Sequence, residues 1–227
     1  MAIKKIIALG SAKGGVGKSS ITASIAISLS KSYKLGVLDA DIYGPNQNIL
    51  FNIDKKPEQV DELIIPIIKN NIKILSIGNI LPMDEAAIWR GPRLSGAIRK
   101  LIQSANWGDL DYLLIDMPPG TGDAYLTVFN ELNVDYFILI TNDNKLANAD
   151  LYKTFYMLKK LNINILGYIK NNILNITNES EDNFFKTNNI DLLGTFSFDK
   201  KIYNFDIDYN SDISNKLSKE IDKKVNE

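Results

Sequence analysis

The sequence predicts an α/β fold, in which a mostly parallel β-sheet is covered by helices on both faces. The alternation of apolar and helical segments supports this prediction. Runs of consecutive apolar residues alternate along the chain with segments of helical periodicity, and uninterrupted apolar strands are typical of parallel sheets buried on both sides. The 227 residues contain no segment with the composition of a linker, so we expect one domain over residues 1–227.

Five apolar runs are expected to form the central strands, at residues 5–9, 34–39, 112–116, 136–140 and 163–169. A weaker strand is expected at residues 191–196. Residues 63–68 and 72–77 flank Asn70-Asn71 and are expected to form a β-hairpin. Pro66 cannot donate a backbone hydrogen bond, which marks the first strand of that hairpin as an edge strand.

Helices are expected between these strands, at residues 18–31, 92–104, 122–132, 147–161 and 211–225. The first of them opens on small residues, and Pro92 is a favourable first residue for the second. Residues 170–189 are rich in asparagine, and we expect them to form an irregular loop.

The chain contains neither cysteine nor histidine, and this excludes several classes of function. Disulfide bonds, Cys or His metal sites, and catalytic triads built on Ser-His or Cys-His are all impossible. Any bound metal must be a hard, oxygen-ligated ion such as Mg²⁺. Catalysis must depend on Lys, Arg, Asp, Glu, hydroxyl groups and backbone amides.

Charge and hydropathy give no reason to expect a nucleic-acid or membrane partner. The 26 basic and 27 acidic residues leave a net charge of −1, so no general field attracts the chain to a polyanion. No stretch approaches the roughly 20 apolar residues of a membrane-spanning helix. The first apolar run, residues 6–9, is too short for a signal sequence. We therefore expect a cytoplasmic protein.

The strongest functional motif is KGGVGKSS at residues 13–20, which follows a predicted strand and opens a predicted helix. This is the context of a phosphate-binding loop, because glycines let several N–H groups point at phosphate oxygens beside a helix N-terminus. The residues expected to bind a nucleotide are Lys13, Gly14, Gly15, Val16, Gly17, Lys18, Ser19 and Ser20. Within them, Lys18 is expected to neutralise the β- and γ-phosphates, and Ser19 to ligate Mg²⁺.

Two aspartates follow the second predicted strand, in the segment DADIYGP at residues 39–45. Ligands of parallel sheets bind at the carboxyl ends of the strands, and spacing by two places both carboxylates on one side if the strand continues. We expect Asp39 to hold Mg²⁺ through water and Asp41 to orient an attacking water. The alternative for Asp41 is a capping or turn residue.

A third motif, LLIDMPPGTGD at residues 113–123, is an apolar strand that ends in Asp116. A buried strand with a terminal carboxylate is typical of a Walker B motif, which acts in the Mg²⁺ shell. Together the three motifs supply a phosphate cradle, metal ligands and a water-orienting group. Phosphoryl transfer needs positioning and charge neutralisation, so the absence of histidine is no obstacle.

The motifs resemble those of a known family of ATPases. The strict Walker A pattern begins with a glycine one residue earlier, where this chain has Ala12, so that Lys13 takes its second position. A lysine there is similar to the deviant Walker A lysine of the ParA/MinD class. Residues 39–45, 87–92 (AIWRGP) and 106–112 (NWGDLDY) closely resemble the Mrp (ApbC) family within that class. The resemblance implies a P-loop NTPase of the SIMIBI/MinD-like type that binds ATP and Mg²⁺, hydrolyses ATP slowly and forms a homodimer.

The resemblance also implies individual roles. Lys13 would reach across the dimer interface to the partner's nucleotide, and Asn171 would contact the adenine. Members of the family carry iron–sulfur clusters on a Cys-x-x-Cys, and the aligned residues here are TNES, 177–180. Hydroxyls are poor substitutes for cluster thiolates. We therefore expect a role in cluster assembly or transfer without a cluster on this chain alone, beside a cysteine-bearing partner or client apoprotein.

Two alternatives remain open at this point. One is a MinD- or ParA-like positioning switch, for which the predicted helix at 211–225 would be a membrane-binding segment, although packing against the sheet is favoured. The other is a nucleotide-dependent scaffold with little turnover. The three arginines of the chain all lie between residues 90 and 99. Of these, Arg90 and Arg93 are expected to contact a dimer partner, the nucleotide or a client carboxylate, or to be ordinary surface residues.

Overall fold

An eight-stranded β-sheet is the centre of the structure, a computed structural model that describes residues 2–80, 92–142, 148–172, 179–198, 200, 204 and 211–227. In chain order the strands are β1 (Ile3–Gly10), β2 (Leu35–Asp39), β3 (Glu58–Val60), β4 (Leu63–Ile65), β5 (Ile67–Lys69), β6 (Ile72–Ser76), β7 (Leu110–Asp116), β8 (Tyr136–Thr141), β9 (Ile165–Asn172) and β10 (Leu192–Ser197). The sheet order is β10-β9-β8-β1-β7-β2-β6-β5, and only β5 is antiparallel to its neighbour. The remaining pair, β3 and β4, forms a small antiparallel ribbon.

Helices cover both faces of this sheet. They are α1 (Lys18–Leu29), α2 (Gln47–Leu50), α3 (Pro92–Ser104), α4 (Asp123–Glu131), α5 (Asn148–Lys160), α6 (Glu179–Thr187) and α7 (Asp212–Asn226), with one 3₁₀ turn at Ile77–Asn79. Buried residues of α3, α4, α5 and α6 belong to one core cluster, and those of α1, α2 and α7 belong to the other. The predicted α/β fold is confirmed.

The central strands are apolar throughout because both of their faces are buried. In β1, Ile6 and Ala8 contribute to one core cluster, whereas Ile7 and Leu9 contribute to the other. Parallel order places the carboxyl ends of β1, β7 and β2 side by side, at the edge where ligands of such sheets bind.

The predicted irregular loop at residues 170–189 is wrong. Strand β9 continues to Asn172, and α6 occupies Glu179–Thr187. The helix is fixed by aromatic packing that the asparagine-rich composition obscures. Phe185 is fully buried and stacks on Tyr168 with 3.7 Å between ring centroids, and Phe184 contacts Phe155 edge-on.

The predicted hairpin is confirmed in its turn but not in its first strand. Asn70 and Asn71 both adopt positive φ angles, 50° and 60°, and connect β5 to β6, as two-residue hairpin turns require. Pro66 interrupts the expected strand at 63–68, so that residues 63–65 pair with β3 instead. The interruption follows from the missing N–H of proline.

The last helix, α7, packs against α1 and the sheet, as favoured from its sequence. Leu217, Ile221 and Val225 lie in the core, and Ser28 of α1 bonds to Asn215 and Ser218 of α7. Among the described residues, no helix combines the length and the apolar character needed to cross a bilayer.

Candidate nucleotide-binding site

The loop between β1 and α1 is shaped by two glycines in the left-handed region. Gly15 has φ of 79° and Gly17 has φ of 84°, conformations that strain any residue with a Cβ. A Cβ at Gly17 would also lie 2.3 Å from the Asn171 amide nitrogen, so that the Asn171 side chain would have to move. The loop therefore curls into the N-terminus of α1, where free backbone N–H groups favour an anion.

A cavity of about 260 Å³ opens at this loop. Its walls include Gly15, Lys18, Ser19, Asp41 and Pro119. Ligand pockets are commonly about 300–1,000 Å³, so this cavity suits the phosphate end of a nucleotide. The structure thus brings the phosphate loop together with Asp41.

Lys18 is held in this cavity by a buried ion pair. Its side chain is 6% exposed, and its Nζ lies 2.5 Å from Asp116 Oδ1 and 4.0 Å from Asp41 Oδ2. Burial alone would lower the pKa of Lys18, but the charges of Asp116, Asp41 and Asp39 outweigh that effect and raise it. The ammonium is therefore charged and faces the space into which phosphate oxygens would enter.

Asp39 lies beside Asp116, at the paired ends of β2 and β7. Its fully buried carboxylate accepts hydrogen bonds from the backbone N–H groups of Asp41, Asn46 and Gln47 and from the Ser76 hydroxyl. Burial, with the charge of Asp116, raises the pKa of Asp39 to about 7.

Asp41 is an Asx-type turn residue that also faces the cavity. Its Oδ1 accepts a hydrogen bond from the N–H of Gly44 at 3.1 Å, and burial raises its pKa above the usual value. Its other oxygen is the one near Lys18. Asp41 is thus both a turn residue and part of the cavity wall, and the two roles are compatible.

The oxygen atoms at the cavity wall and at the adjoining strand ends are of the kind that binds magnesium. Within the described part of the chain, no group of three or more acidic side chains could hold a metal by itself. Mg²⁺ does not need such a cage, because it keeps several waters and binds through one or two carboxylates and the substrate phosphates. The Ser19 hydroxyl and the Asp39 and Asp116 carboxylates are hard oxygen donors of that kind.

The remaining predicted residues lie in different settings. Lys13 is exposed at the mouth of the loop, whereas the Asn171 amide donates to the Val16 carbonyl at 2.8 Å and so contacts the loop itself. Arg93 lines a second cavity, beyond the walls of the phosphate cavity. Arg90 and residues 177–178 lie outside the described residues.

A buried glutamine at the site was not predicted from the sequence. Gln47, the first residue of α2, is fully buried and donates from Nε2 to Asp116 Oδ2 at 2.7 Å and to the Ser19 carbonyl at 3.0 Å. It belongs to no motif, and the bonds depend on two segments that are 69 residues apart in the chain. No local pattern in the sequence indicates them.

A strand, a glycine-rich loop and a helix, with aspartates at the end of the adjacent strand β7 and of the next strand, β2, define a P-loop NTPase. Comparison with known proteins agrees with this class. The family model described as ParA, NUBPL iron-transfer P-loop NTPase, matches residues 2–224. The chain belongs to this family.

Individual relatives and structures support the assignment. The iron-sulfur cluster carrier protein of Rickettsia conorii is 42% identical over 192 residues, which are 84% of this chain and 60% of that protein. This chain therefore spans about three fifths of that relative's length.

Two solved structures share the fold. A nucleotide-binding protein of Archaeoglobus fulgidus in complex with ADP has a TM-score of 0.76 and 28% identity, covering 96% of this chain and 88% of its own. The septum site-determining protein MinD of Pyrococcus horikoshii, complexed with Mg-ADP, has a TM-score of 0.74 and covers 96% of each chain at 24% identity, a likeness of fold alone.

The buried ion pair predicts different outcomes for two lysines of the same loop. Lys18→Met should lower the free energy of unfolding of the nucleotide-free protein by about 3–5 kcal/mol, because it leaves the Asp116 charge buried without a partner. Adding Asp116→Asn should recover much of that loss. Urea unfolding measures both effects.

The matched control is Lys13→Met, which removes the same charge from an exposed position and should leave stability within about 0.5 kcal/mol. Equal losses for the two lysine variants would contradict the ion pair as the source of the difference.

Proposed function

We propose that this chain is a slow, Mg²⁺-dependent ATPase. The observation that carries the proposal is the buried Lys18 ammonium, held between Asp116 and Asp41 at a cavity walled by the glycine-rich loop. A charged lysine fixed there exchanges its carboxylate partner for phosphate oxygens when a nucleotide binds.

The chain's own groups account for phosphoryl transfer by positioning and charge neutralisation. Backbone N–H groups of the loop and Lys18 bind the β- and γ-phosphates, and Ser19 supplies a hydroxyl ligand for Mg²⁺. Asp39 and Asp116 orient the waters around that ion. Asp41, which faces the cavity, orients the attacking water. Bound Mg²⁺ would supply further charge neutralisation at the transferred phosphate.

A substitution of Asp41 tests whether this residue acts in ATP binding or in ATP hydrolysis. We expect Asp41→Asn to keep ATP affinity within about threefold and to lower turnover by about 100-fold, because the water-orienting charge acts in the transition state. Phosphate release under single-turnover conditions measures the rate, and fluorescence titration with an ATP analogue measures the affinity. A large loss of affinity at unchanged turnover would assign Asp41 to binding instead.

We also propose that ATP joins two copies of the chain, with Lys13 reaching the partner's nucleotide. The exposure of Lys13, next to the open Gly14 and Gly15, supports this role. Lys13→Gln should abolish the ATP-dependent dimer in sedimentation velocity and lower turnover at least tenfold. Lys219→Gln, an exposed lysine on α7, is the control and should change neither. A Lys13 variant that still dimerises with ATP would refute the trans contact.

The biological role that we propose is iron–sulfur cluster assembly or transfer. Support comes from the family and from the relative named an iron-sulfur cluster carrier protein. These 227 residues contain no cysteine, so the cluster would be bound by a cysteine-bearing partner or client rather than by this chain. Nucleotide-driven change of the dimer would then act on that partner. We place this activity in the cytoplasm, without a nucleic-acid or membrane partner.

Anaerobic reconstitution with iron and sulfide tests whether the cluster is bound by a partner rather than by this chain. The isolated chain should retain no stoichiometric cluster after desalting, since hydroxyl and carboxylate groups replace thiolates poorly. Absorbance near 400 nm and iron analysis give the readout, with a cysteine-bearing apo-ferredoxin as the positive control. A stable cluster on this chain alone would overturn the proposal.

Arg93 marks a candidate surface for such a partner. It lines a cavity of about 510 Å³ between the β3–β4 ribbon and α3, whose apolar walls include Ile64, Ile77 and Leu101. Lys100 is also at this cavity, and neither cation has an ion-pair partner among the described residues, whereas Arg99 pairs with Glu131. We propose that Arg93 binds a carboxylate of an acidic client.

Substitution of Arg93 by lysine keeps the charge and removes the bidentate geometry. Arg93→Lys should weaken binding of a labelled acidic apo-ferredoxin by about tenfold in fluorescence anisotropy. Arg99→Lys, on the same helix and outside the cavity wall, should not. Unchanged binding, dimerisation and turnover in Arg93→Lys would leave this residue as an ordinary surface arginine.

A positioning switch and a scaffold give different results in the same assays. A scaffold would bind ATP without measurable turnover. A positioning switch would bind anionic vesicles in the presence of ATP, but the buried face of α7 opposes a membrane role for that helix.

A further inference from the structure

We infer that Gln47 is a positioning residue for the magnesium site, which holds Asp116 so that only one of its oxygens is offered to the ion's water shell. The inference deepens the proposed ATPase function and rests on it. It concerns a side chain that none of the motifs contains.

The first support is the way in which Asp116 is held. Its Oδ1 accepts from Lys18 and its Oδ2 accepts from Gln47, so both oxygens are occupied before a nucleotide binds. Phosphate competes with Oδ1 for Lys18, because Lys18 is the cation of the phosphate loop. Gln47 is fully buried and is not among the wall residues of the phosphate cavity, so a phosphate in that cavity does not compete for its amide. Nucleotide binding therefore frees Oδ1, while Oδ2 stays bonded and the carboxylate keeps its orientation.

The second support is that Gln47 also connects the other parts of the site. Its backbone N–H donates to Asp39 Oδ2 at 3.0 Å, and its side chain donates to the Ser19 carbonyl as well as to Asp116. Gln47 thus contacts the backbone of Ser19, which would supply the hydroxyl ligand, and the carboxylates of Asp39 and Asp116 at the ends of β2 and β7. Hydrogen-bond partners of this kind orient metal ligands, and their loss typically costs about 10–100-fold in metal affinity or activity.

The third support is that packing alone does not account for a glutamine here. The side chain is fully buried, and its Oε1 accepts no hydrogen bond from any described residue. A buried acceptor without a partner is destabilising, and an apolar side chain of similar length would avoid that cost. The amide is explained by the two bonds that its nitrogen donates.

The test is the Mg²⁺ dependence of nucleotide binding, which does not require turnover. A fluorescent ATP analogue is titrated into the full chain in EDTA and at increasing Mg²⁺. Gln47→Met removes both donors and keeps the length of the side chain. We expect the Mg²⁺ concentration for half-maximal effect to rise about 10–100-fold, with affinity in EDTA unchanged.

The control is Asn48→Ala, on the same helix. Asn48 also carries a buried oxygen without a partner, but its side chain bonds to neither carboxylate among the described residues. This variant should keep the wild-type Mg²⁺ dependence. If Asn48→Ala shifts it as much as Gln47→Met does, the effect belongs to α2 as a whole and the inference is wrong.

The Asp116→Asn background tests whether Gln47 acts through Asp116. In that background Gln47→Met should add little to the Mg²⁺ requirement, since the two changes remove the same interaction. Independent, additive losses would overturn the inference. Should the methionine variant fail to fold by circular dichroism, Gln47→Asn keeps the amide, shortens the side chain by one methylene, and is expected to shift the Mg²⁺ requirement in the same direction.

The result also separates this inference from the ATPase proposal. A wild-type chain that shows no nucleotide binding with or without Mg²⁺ refutes the ATPase. Tight, Mg²⁺-dependent binding that is the same in wild type and Gln47→Met keeps the ATPase and refutes the role of Gln47.

Discussion

The site depends on one buried ion pair, between Lys18 of the phosphate loop and Asp116 at the end of β7. Two charges that are 6% exposed or less can remain in the interior only if they neutralise each other. Their pairing holds the start of α1 against the end of the central strand. The same pairing keeps the Lys18 ammonium charged and near the cavity. One interaction therefore both stabilises the nucleotide-free protein and places a cation where a phosphate would bind.

The parts of the fold that follow from local chemistry could be predicted from the sequence. Strands such as β1 are apolar on both faces, the glycine-rich loop needs left-handed backbone, and Asn70-Asn71 forms a tight turn. Two features that were not predicted depend on tertiary contacts. Helix α6 is stabilised by Phe184 and Phe185 packing on residues from other elements. Gln47 gains its partners only when α2 and the end of β7 are brought together, which no periodicity encodes.

The family of this chain and its amino-acid composition point to different chemistry. Its relatives include a protein named an iron-sulfur cluster carrier protein, yet these residues contain no thiol. The proposed nucleotide site, by contrast, needs only lysine, hydroxyl, carboxylate and backbone groups, and the structure brings groups of these kinds together at one cavity.

The order of the sheet has a consequence for how the chain is made. Strand β7 lies between β1 and β2, although it follows both by about 70 residues or more in the chain. During synthesis the first two strands therefore cannot complete their pairing until β7 has emerged. Contacts of such long sequence separation slow folding. A ribosome adds about 5–20 residues per second, so Lys18 is synthesised several seconds before its partner Asp116. Early fragments of this chain would expose apolar strand edges, which makes that interval the one in which a chaperone is most useful.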